Sequence, residues 1–308
     1  MRLVWLLAVA ACGGNDPSAT SDGPGPSTDS PITPPGDGPS GGLVPGSLAV
    51  TWMHGSANCN QNADAEVQVH TYNATTHIIR QNKCDTFEAP FMYVLAGTQR
   101  ALLLDSGDLT STTLRTTVRG LIGNLPLTVA HSHAHGDHIK GDATFSGQPN
   151  TTVIGTSIAA VQAAFGITSW PTDLGSIDLG DRVLDVVGVP GHQDAHVALY
   201  DRQTGLLLTG DTLYPGFLFI SNWSVYRTST SRLADFAAAR EIVHVLGAHV
   251  EMTSTPGQAY PYMTTFQPAE HVLQLTKANL VELDAALDAA GPTPPNNDIV
   301  KTDFIIAP

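Results

Sequence analysis

The residues 132–141, Ser-His-Ala-His-Gly-Asp-His-Ile-Lys-Gly, concentrate side chains that bind metals. Four potential ligands fall within six positions: His133, His135, Asp137 and His138. They follow a short apolar run, Leu125–Ala130, that is typical of a buried strand. Three imidazoles and a carboxylate at a strand end are costly to desolvate, and a divalent cation offsets that cost. Nitrogen ligands with a carboxylate favour zinc, with iron or manganese as alternatives.

Three later segments repeat one scheme, in which an apolar strand and a small residue precede a metal-type ligand. The ligands are His192 after Val183–Val189, Asp211 after Leu206–Thr209, and His249 after Val245 and Leu246. Loops at the ends of buried strands are where a rigid scaffold presents functional groups. A single such histidine is more often structural, and the motif alone could be a solvated histidine-rich loop. Four segments in order predict one composite site.

Together these segments resemble the metallo-β-lactamase-fold hydrolases, whose pattern is His-x-His-x-Asp-His followed by His, Asp and His. The resemblance covers roughly residues 65–255. It implies an α+β fold, a four-layer αββα sandwich with two metal ions in a cleft at one edge. Matching residue to motif, it implies a first metal on His133, His135 and His192, a second on Asp137, His138 and His249, and Asp211 between them.

The expected cofactors are two Zn²⁺ ions per chain, and the expected catalytic residues are Asp137 and Asp211. A water bound to such metals loses its proton near neutral pH, so a bridging hydroxide would attack the scissile carbonyl or phosphoryl group. Asp137 could orient that hydroxide. Ser132 is not expected to act as a nucleophile, because its neighbour His133 is used as a ligand. Asp105 resembles the buried aspartate that braces the motif loop in this family.

Several reactions remain open, because this fold carries different chemistries. Zinc β-lactamases generally lack an aspartate at the position of Asp211, and the segment after it lacks the pattern typical of glutathione thioester hydrolases. We predict a dinuclear hydrolase that opens an ester, thioester or lactone bond in a small molecule. The alternatives are a zinc β-lactamase or acyl-homoserine lactonase in the strict sense. An alternative of another class is a mononuclear non-haem iron dioxygenase.

Four further residues are weaker candidates for substrate contacts. Acyl-homoserine lactonases often have a histidine at the position of His196, where many other members have serine; a position behind the ligands is the alternative. Tyr214, Tyr226 and Arg227 follow Asp211 in a segment rich in glycine and aromatic residues. That segment could form a lid over the substrate or an ordinary packing patch.

Composition and the N-terminus restrict the partners. The net charge is −14, with only 14 lysine and arginine residues among 308, so nucleic acid is not an expected partner. The apolar stretch from Leu3 to Ala11 is too short to span a bilayer, and Val9-Ala10-Ala11-Cys12 resembles a bacterial lipoprotein processing box. We expect export to the periplasm or outer membrane, with membrane contact only through a lipid on Cys12. An ordinary secretory signal is the alternative.

Three segments are therefore predicted: a lipoprotein signal at 1–12, a Gly/Pro/Ser tether at 13–42, and the hydrolase domain at 43–308. In an exported chain Cys59 and Cys84 are expected to pair, with thiolate metal ligation as the alternative. Hydrophobic periodicity predicts helices over 110–121, 156–164, 231–243 and 268–290. The oligomeric state is left open.

Overall fold

A computed structural model describes residues 42–308. The strands within this range, in chain order, are β1 (Val67–Asn73), β2 (Thr76–Gln81), β3 (Phe91–Ala96), β4 (Ala101–Leu104), β5 (Leu127–Ala130), β6 (Thr151–Val153), β7 (Gly175–Asp178), β8 (Val183–Gly188), β9 (Val197–Asp201), β10 (Leu206–Gly210), β11 (Phe217–Phe219), β12 (His244–Gly247), β13 (Gln274–Leu275), β14 (Ile299–Val300) and β15 (Ile305–Ala307). The helices are α1 (Thr113–Ile122), α2 (Gly136–Ile139), α3 (Asp142–Phe145), α4 (Ile158–Phe165), α5 (Trp223–Ala238) and α6 (Lys277–Ala290), with a short 3-10 helix at Cys59–Gln61.

Two six-stranded sheets form the centre of the domain. The first has the order β1-β2-β3-β4-β5-β6, and the second has the order β13-β12-β10-β9-β8-β7. The pairs β4–β5, β5–β6 and β10–β12 are parallel, while the remaining pairs within these two sheets are antiparallel. A small third sheet joins β11, β15 and β14. The parallel pairs bring the carboxyl ends of neighbouring strands to the same side, which is where ligand-bearing loops meet.

Side-chain alternation divides the core into three layers of contact. Leu102 and Leu104 of β4 point toward the second sheet, where they pack with Leu199 and other strand residues. Leu103 points the other way and packs with Val118 of α1. On the far face of the second sheet, α5 and α6 cover residues such as Leu207 and Val245. Helices therefore flank a pair of packed sheets, and the predicted fold class is confirmed.

Two helices differ from the sequence-based expectation. The helix predicted over 231–243 begins instead at Trp223, because the Asn222 side chain accepts a hydrogen bond from the Val225 amide and caps it. The helix predicted over 268–290 begins only at Lys277, after the capping residue Thr276. Gln274 and Leu275, just before it, pair with β12 as strand β13. Their backbone groups therefore form hydrogen bonds within the sheet and not within the helix that the periodicity predicts.

A disulfide joins Cys59 and Cys84, the pair expected from the sequence. Cys12, the signal at 1–12 and the tether up to residue 41 lie outside the described residues. Within 42–308, no helix combines the length and the apolar character that a membrane span requires.

Candidate metal centre

The seven ligand-type side chains lie beyond the ends of four strands. The motif His133 to His138 follows β5 in the first sheet and leads into α2. His192, Asp211 and His249 follow β8, β10 and β12 of the second sheet. The centre therefore lies where the two sheets present their strand ends to each other.

Gly191 shows how tightly one of these turns is built. Its φ of +132° lies in a region that residues with a side chain rarely adopt. A Cβ at this position would lie 2.4 Å from the Cα of Tyr226. Only glycine fits, and the resulting turn aims His192 at the centre.

The first ligand group consists of three imidazoles and one carboxylate oxygen. His133 Nε2 lies 3.0 Å from His135 Nδ1 and 3.2 Å from His192 Nε2, and the latter two nitrogens are 3.0 Å apart. Asp211 Oδ2 lies 3.5 Å from His192 Nε2 and 3.8 Å from His133 Nε2. The four ligand atoms converge on one point.

The second group contains two imidazoles and two carboxylates. Asp137 Oδ2 lies 3.0 Å from His138 Nε2 and 3.2 Å from His249 Nε2. Asp211 Oδ1 lies 3.5 Å and 3.4 Å from the same two nitrogens. Asp211 thus turns one oxygen to each group, which is the geometry required of a ligand shared by two metals.

These residues fit divalent metals. Two ligand atoms that each lie ~2.1 Å from a tetrahedral zinc ion are roughly 3.4 Å apart, close to the separations found here. Asp211 Oδ1 is buried and forms no hydrogen bond within residues 42–308, although Nε2 of His138 and of His249 lie 3.5 Å and 3.4 Å away. A cation would satisfy both the imidazole nitrogens that face one another in the first group and the buried oxygen of Asp211.

The outward-facing ring nitrogens of three ligands have hydrogen-bond acceptors. Asp105 Oδ2 lies 2.9 Å from His138 Nδ1, and backbone carbonyls of Phe219 and Glu88 lie 2.7 Å and 3.2 Å from Nδ1 of His192 and His249. Each acceptor holds a proton on Nδ1 and leaves the lone pair of Nε2 directed at the centre. This arrangement fixes the tautomer that a metal ligand requires.

Two histidines of the first group are held neutral by their surroundings. Burial, reinforced by the neighbouring histidines, lowers the pKa of His133 well below its usual value. Burial and His192 also lower the pKa of His135. Neutral imidazoles are the form that binds metal, so His133 and His135 accept a cation without losing protons.

The second group behaves in the opposite way. Burial disfavours a charge on His249, but Asp211 and Asp137 outweigh it and raise its pKa to about 9. The same balance, with Asp105 added, raises the pKa of His138 well above its usual value. The two histidines in turn hold the pKa of Asp137 and Asp211 below the usual range against the effect of burial. Without metal, protons on His138 and His249 balance the two carboxylates.

His196 and Tyr226, which the sequence predicts as substrate contacts, are both buried in the structure. Neither side chain has exposed surface. The His196 ring packs against His133 at 4.6 Å between centroids, and the Tyr226 hydroxyl donates to the Thr212 carbonyl. Both residues lie behind the ligands, where they support the centre rather than face a cleft.

The other two substrate candidates also have structural partners. Tyr214 is buried, its ring lies 5.4 Å from that of His249, and its hydroxyl donates to the Phe217 carbonyl. Arg227 Nε donates to the Leu287 carbonyl at 3.0 Å, and its guanidinium pairs with Asp288 on α6. The segment predicted as a lid therefore comprises strand β11 and the first turn of helix α5, which packs against α6.

Sequence reasoning missed the backbone acceptors of Phe219 and Glu88, because a carbonyl carries no residue-type signal. It also missed Glu88 itself, which lies beside His249. Burial, opposed by His249 and reinforced by Asp137, raises the pKa of the Glu88 carboxyl to about 7.

The chain is similar in sequence to proteins of a known family. Residues 85–249, more than half of the chain, match the sequence model described as Metallo-beta-lactamase superfamily. The chain is 38% identical over 80 residues to the acyl-coenzyme A thioesterase MBLAC2 of Gallus gallus, which covers 25% of this chain and 29% of that protein. It is 27% identical over 192 residues to the hydroxyacylglutathione hydrolase of Aeromonas hydrophila subsp. hydrophila, covering 61% of this chain and 70% of that protein.

The fold has counterparts among solved structures. A metallo-beta-lactamase from Pontibacter korlensis aligns with a TM-score of 0.51 and 16% identity, over 72% of this chain and 99% of that protein. At this level of identity the likeness concerns the fold alone.

Proposed function

Because the chain belongs to the metallo-beta-lactamase superfamily, we propose that it is a dinuclear, zinc-dependent hydrolase acting on an ester, thioester or lactone bond of a small molecule. The observation that carries this proposal is Asp211, whose two oxygens lie 3.4–3.8 Å from ligand nitrogens of two separate groups. A single-metal centre would need only one of those groups. The net charge of −14 supports a small-molecule substrate rather than nucleic acid.

The ligand roles follow from the geometry. His133, His135 and His192 would hold one cation, Asp137, His138 and His249 the other, and Asp211 both. Two bound cations would supply a water of lowered pKa and would polarise the scissile carbonyl.

Residues of the chain orient the attacking water and fix the tautomers of the ligand histidines. Asp137 is the more open of the two central carboxylates, with 18% of its side chain exposed against 9% for Asp211. It is therefore placed to accept a hydrogen bond from an attacking water and to orient it. Asp105, the Phe219 carbonyl and the Glu88 carbonyl keep the imidazoles in the metal-binding tautomer.

Among the three bond types, we place acyl thioesters first. Both curated relatives act on acyl conjugates according to their names, an acyl-coenzyme A and a hydroxyacylglutathione. Each alignment is partial, so the likeness favours the reaction type and leaves the thiol carrier open. Lactones and linear esters present the same carbonyl to the centre and come next.

The test is hydrolysis by the purified, zinc-loaded protein of three probes: an S-acyl-N-acetylcysteamine thioester, an acyl-homoserine lactone and nitrocefin. We expect turnover of the thioester or the lactone, two zinc ions per chain by elemental analysis, and loss of activity on chelation. Iron as the single bound metal, with a visible absorption band, would favour the dioxygenase alternative. Turnover of nitrocefin alone would favour a β-lactamase, and no turnover of any probe would contradict the hydrolase proposal.

We also propose that the protein is exported and anchored through a lipid on Cys12. The lipoprotein-like box at 9–12 supports this, as does the Cys59–Cys84 disulfide, since disulfides persist mainly in oxidising compartments. Fractionation of cells that express the full chain should place it with membranes, and Cys12→Ala should release it. Membrane association that persists in Cys12→Ala would contradict the lipid anchor.

A further inference from the structure

A small cavity, with room for a group about the size of one water molecule, lies beside the second ligand group. The cavity adjoins the metal centre, because Glu88 lines it and the backbone carbonyl of Glu88 accepts the hydrogen bond from His249 Nδ1 at 3.2 Å. Glu251, another lining residue, follows His249 by two positions. An ammonium group is about the size of a water molecule, so the cavity suits the charged end of a substrate while the rest of the substrate lies outside.

One polar atom in the wall of this cavity has no partner. Gln267 is only 3% exposed, and its Oε1 makes no hydrogen bond with any of residues 42–308. A buried amide oxygen is unfavourable unless a donor reaches it. The cavity therefore presents an acceptor that a ligand bearing N–H or O–H groups would satisfy.

The groups around the cavity favour a hydrogen-bond donor. Glu88 and Glu251 contribute two carboxyl groups, whereas Lys83 contributes one ammonium. The Lys83 ammonium already donates to the Phe87 carbonyl at 3.1 Å. Within residues 42–308, the Glu251 carboxyl accepts one hydrogen bond, from the Phe217 amide at 2.8 Å. Acceptor oxygens are thus in excess over donors.

Aromatic rings close the outer side. Tyr262 is 61% exposed and packs edge-to-face against Phe87, with 5.3 Å between ring centroids. Its hydroxyl lies 3.5 Å from Glu88 Oε1. Aromatic faces next to a carboxylate favour an alkylammonium group over a neutral or anionic group.

The loop that carries Gln267 and Tyr262 is fixed at its base. The guanidinium of Arg80 makes two hydrogen bonds to the Glu270 carboxylate at 2.6 Å and one to the Met53 carbonyl at 2.8 Å. A bidentate pair of this kind holds its elements in a defined geometry. The acceptors of the cavity are therefore positioned before a ligand arrives.

We propose that this cavity binds a protonated primary amine, so that the preferred substrates are acyl compounds that carry an ammonium group. The substrate class rests on the proposed hydrolase function, whereas amine binding by the cavity does not. The ammonium would donate to Gln267 Oε1 and to the carboxylates of Glu88 and Glu251, beside the rings of Phe87 and Tyr262.

Binding tests the cavity independently of catalysis. Ligand-observed NMR would compare butylammonium, 1-butanol and butyrate on the full zinc-loaded protein at pH 7. We expect butylammonium to bind at least about tenfold more tightly than 1-butanol, the effect of one charged hydrogen-bond partner. Gln267→Leu and Glu88→Gln should each weaken it severalfold, whereas Glu241→Gln, an exposed glutamate outside the cavity, should not.

Three results would overturn the proposal. Tighter binding of butyrate than of butylammonium, reduced by Lys83→Met, would assign the cavity to an anion. Equal binding of butylammonium and 1-butanol would remove the role of charge. Butylammonium binding that is unchanged in Glu88→Gln would place the amine elsewhere, and this partly exposed position keeps the test valid if Gln267→Leu does not fold.

Kinetics then tests the substrate class. The ratio of kcat/KM for 6-aminohexanoyl over heptanoyl N-acetylcysteamine thioesters should exceed about 10 and should fall toward 1 in Glu88→Gln. Equal hydrolysis of both thioesters would contradict the amine preference and leave the hydrolase standing. Hydrolysis of neither would contradict thioester hydrolysis, while the NMR comparison still decides what the cavity binds.

Discussion

The two ligand groups differ in charge although they share Asp211. In the first group, burial and neighbouring imidazoles keep His133 and His135 neutral. In the second, two carboxylates hold His138 and His249 in the protonated form when no metal is present. Neutral His133 and His135 bind metal without losing protons, whereas the protonated histidines of the carboxylate-rich group must exchange protons for metal. The sequence places ligands of both kinds in one motif, and the surrounding fold makes them different.

The strongest test of this comparison removes the residue that both groups share. Asp211→Asn replaces a bridging carboxylate with an amide that has only one good acceptor oxygen. We expect activity to fall by more than about 100-fold, beyond the 10–100-fold typical for loss of a group behind a ligand. Zinc content should fall below two per chain while the circular dichroism spectrum is unchanged.

Asp194→Asn is the matched control for this change, because Asp194 lies close in sequence to a ligand but is exposed and outside both groups. It should keep wild-type zinc content and activity. Near-normal activity in Asp211→Asn would contradict the dinuclear mechanism and the shared role of this carboxylate.

A more selective change acts on the second group alone. Asp105 bonds His138 Nδ1, and it also accepts hydrogen bonds from the amide and hydroxyl of Ser132. Asp105→Asn keeps the shape, and asparagine tolerates the φ of +67° found here. We expect a loss of about 10–100-fold in zinc affinity at the second group, measured by competition with a chromophoric chelator. The loss at the first group should be smaller, because Asp105 reaches His133 Nδ1 only through the Ser132 hydroxyl, which lies 3.1 Å from that nitrogen. Equal weakening of both sites would show that Asp105 stabilises the whole motif loop.

The charge difference predicts unequal proton release. His249, with a pKa of about 9, is protonated at pH 7 in the metal-free protein and must lose that proton to bind through Nε2. Calorimetry in buffers of different ionisation enthalpy should show more protons released at the second zinc than at the first. Because the proton is bound below its pKa, this release should decline, and the affinity rise, as the pH increases through about 9. Equal release at both sites, or no dependence on pH, would contradict the comparison.

The sequence predicted the ligands better than their surroundings. The ligands follow apolar runs, and such runs are a local signal that the sequence reveals. The run Leu125–Ala130, for example, contains strand β5, Leu127–Ala130. The start of α6 was predicted too early because pairing of Gln274 and Leu275 with β12 is a long-range contact. Tertiary pairing of this kind overrides helical periodicity, and the local sequence contains no signal that predicts it.

The substrate side illustrates the same limit. The amino-acid sequence does not distinguish a buried histidine from an exposed one. The burial of His196 against the ring of His133 is therefore evident only in the structure. Gln267 lies far along the chain from Glu88, and only the fold brings them to one cavity. Residue types predict what a site can bind, whereas packing decides which of them reach it.

The smallest expected effect concerns the Cys59–Cys84 disulfide. It spans 25 residues, and closing such a loop stabilises the folded state by about 3 kcal/mol. Reduction should therefore lower the melting temperature by roughly 5–10 °C.

The disulfide should also affect zinc binding. Neither cysteine is a member of the ligand groups, but Cys84 lies four residues before Glu88, whose carbonyl accepts a hydrogen bond from His249. Reduction should thus weaken zinc severalfold at the second group and leave the first unchanged. The Cys59→Ser/Cys84→Ser double variant should no longer respond to reductant. An unchanged melting temperature in the wild type would argue against the bond, and equal weakening of both sites would show that the N-terminal segment supports the two groups alike.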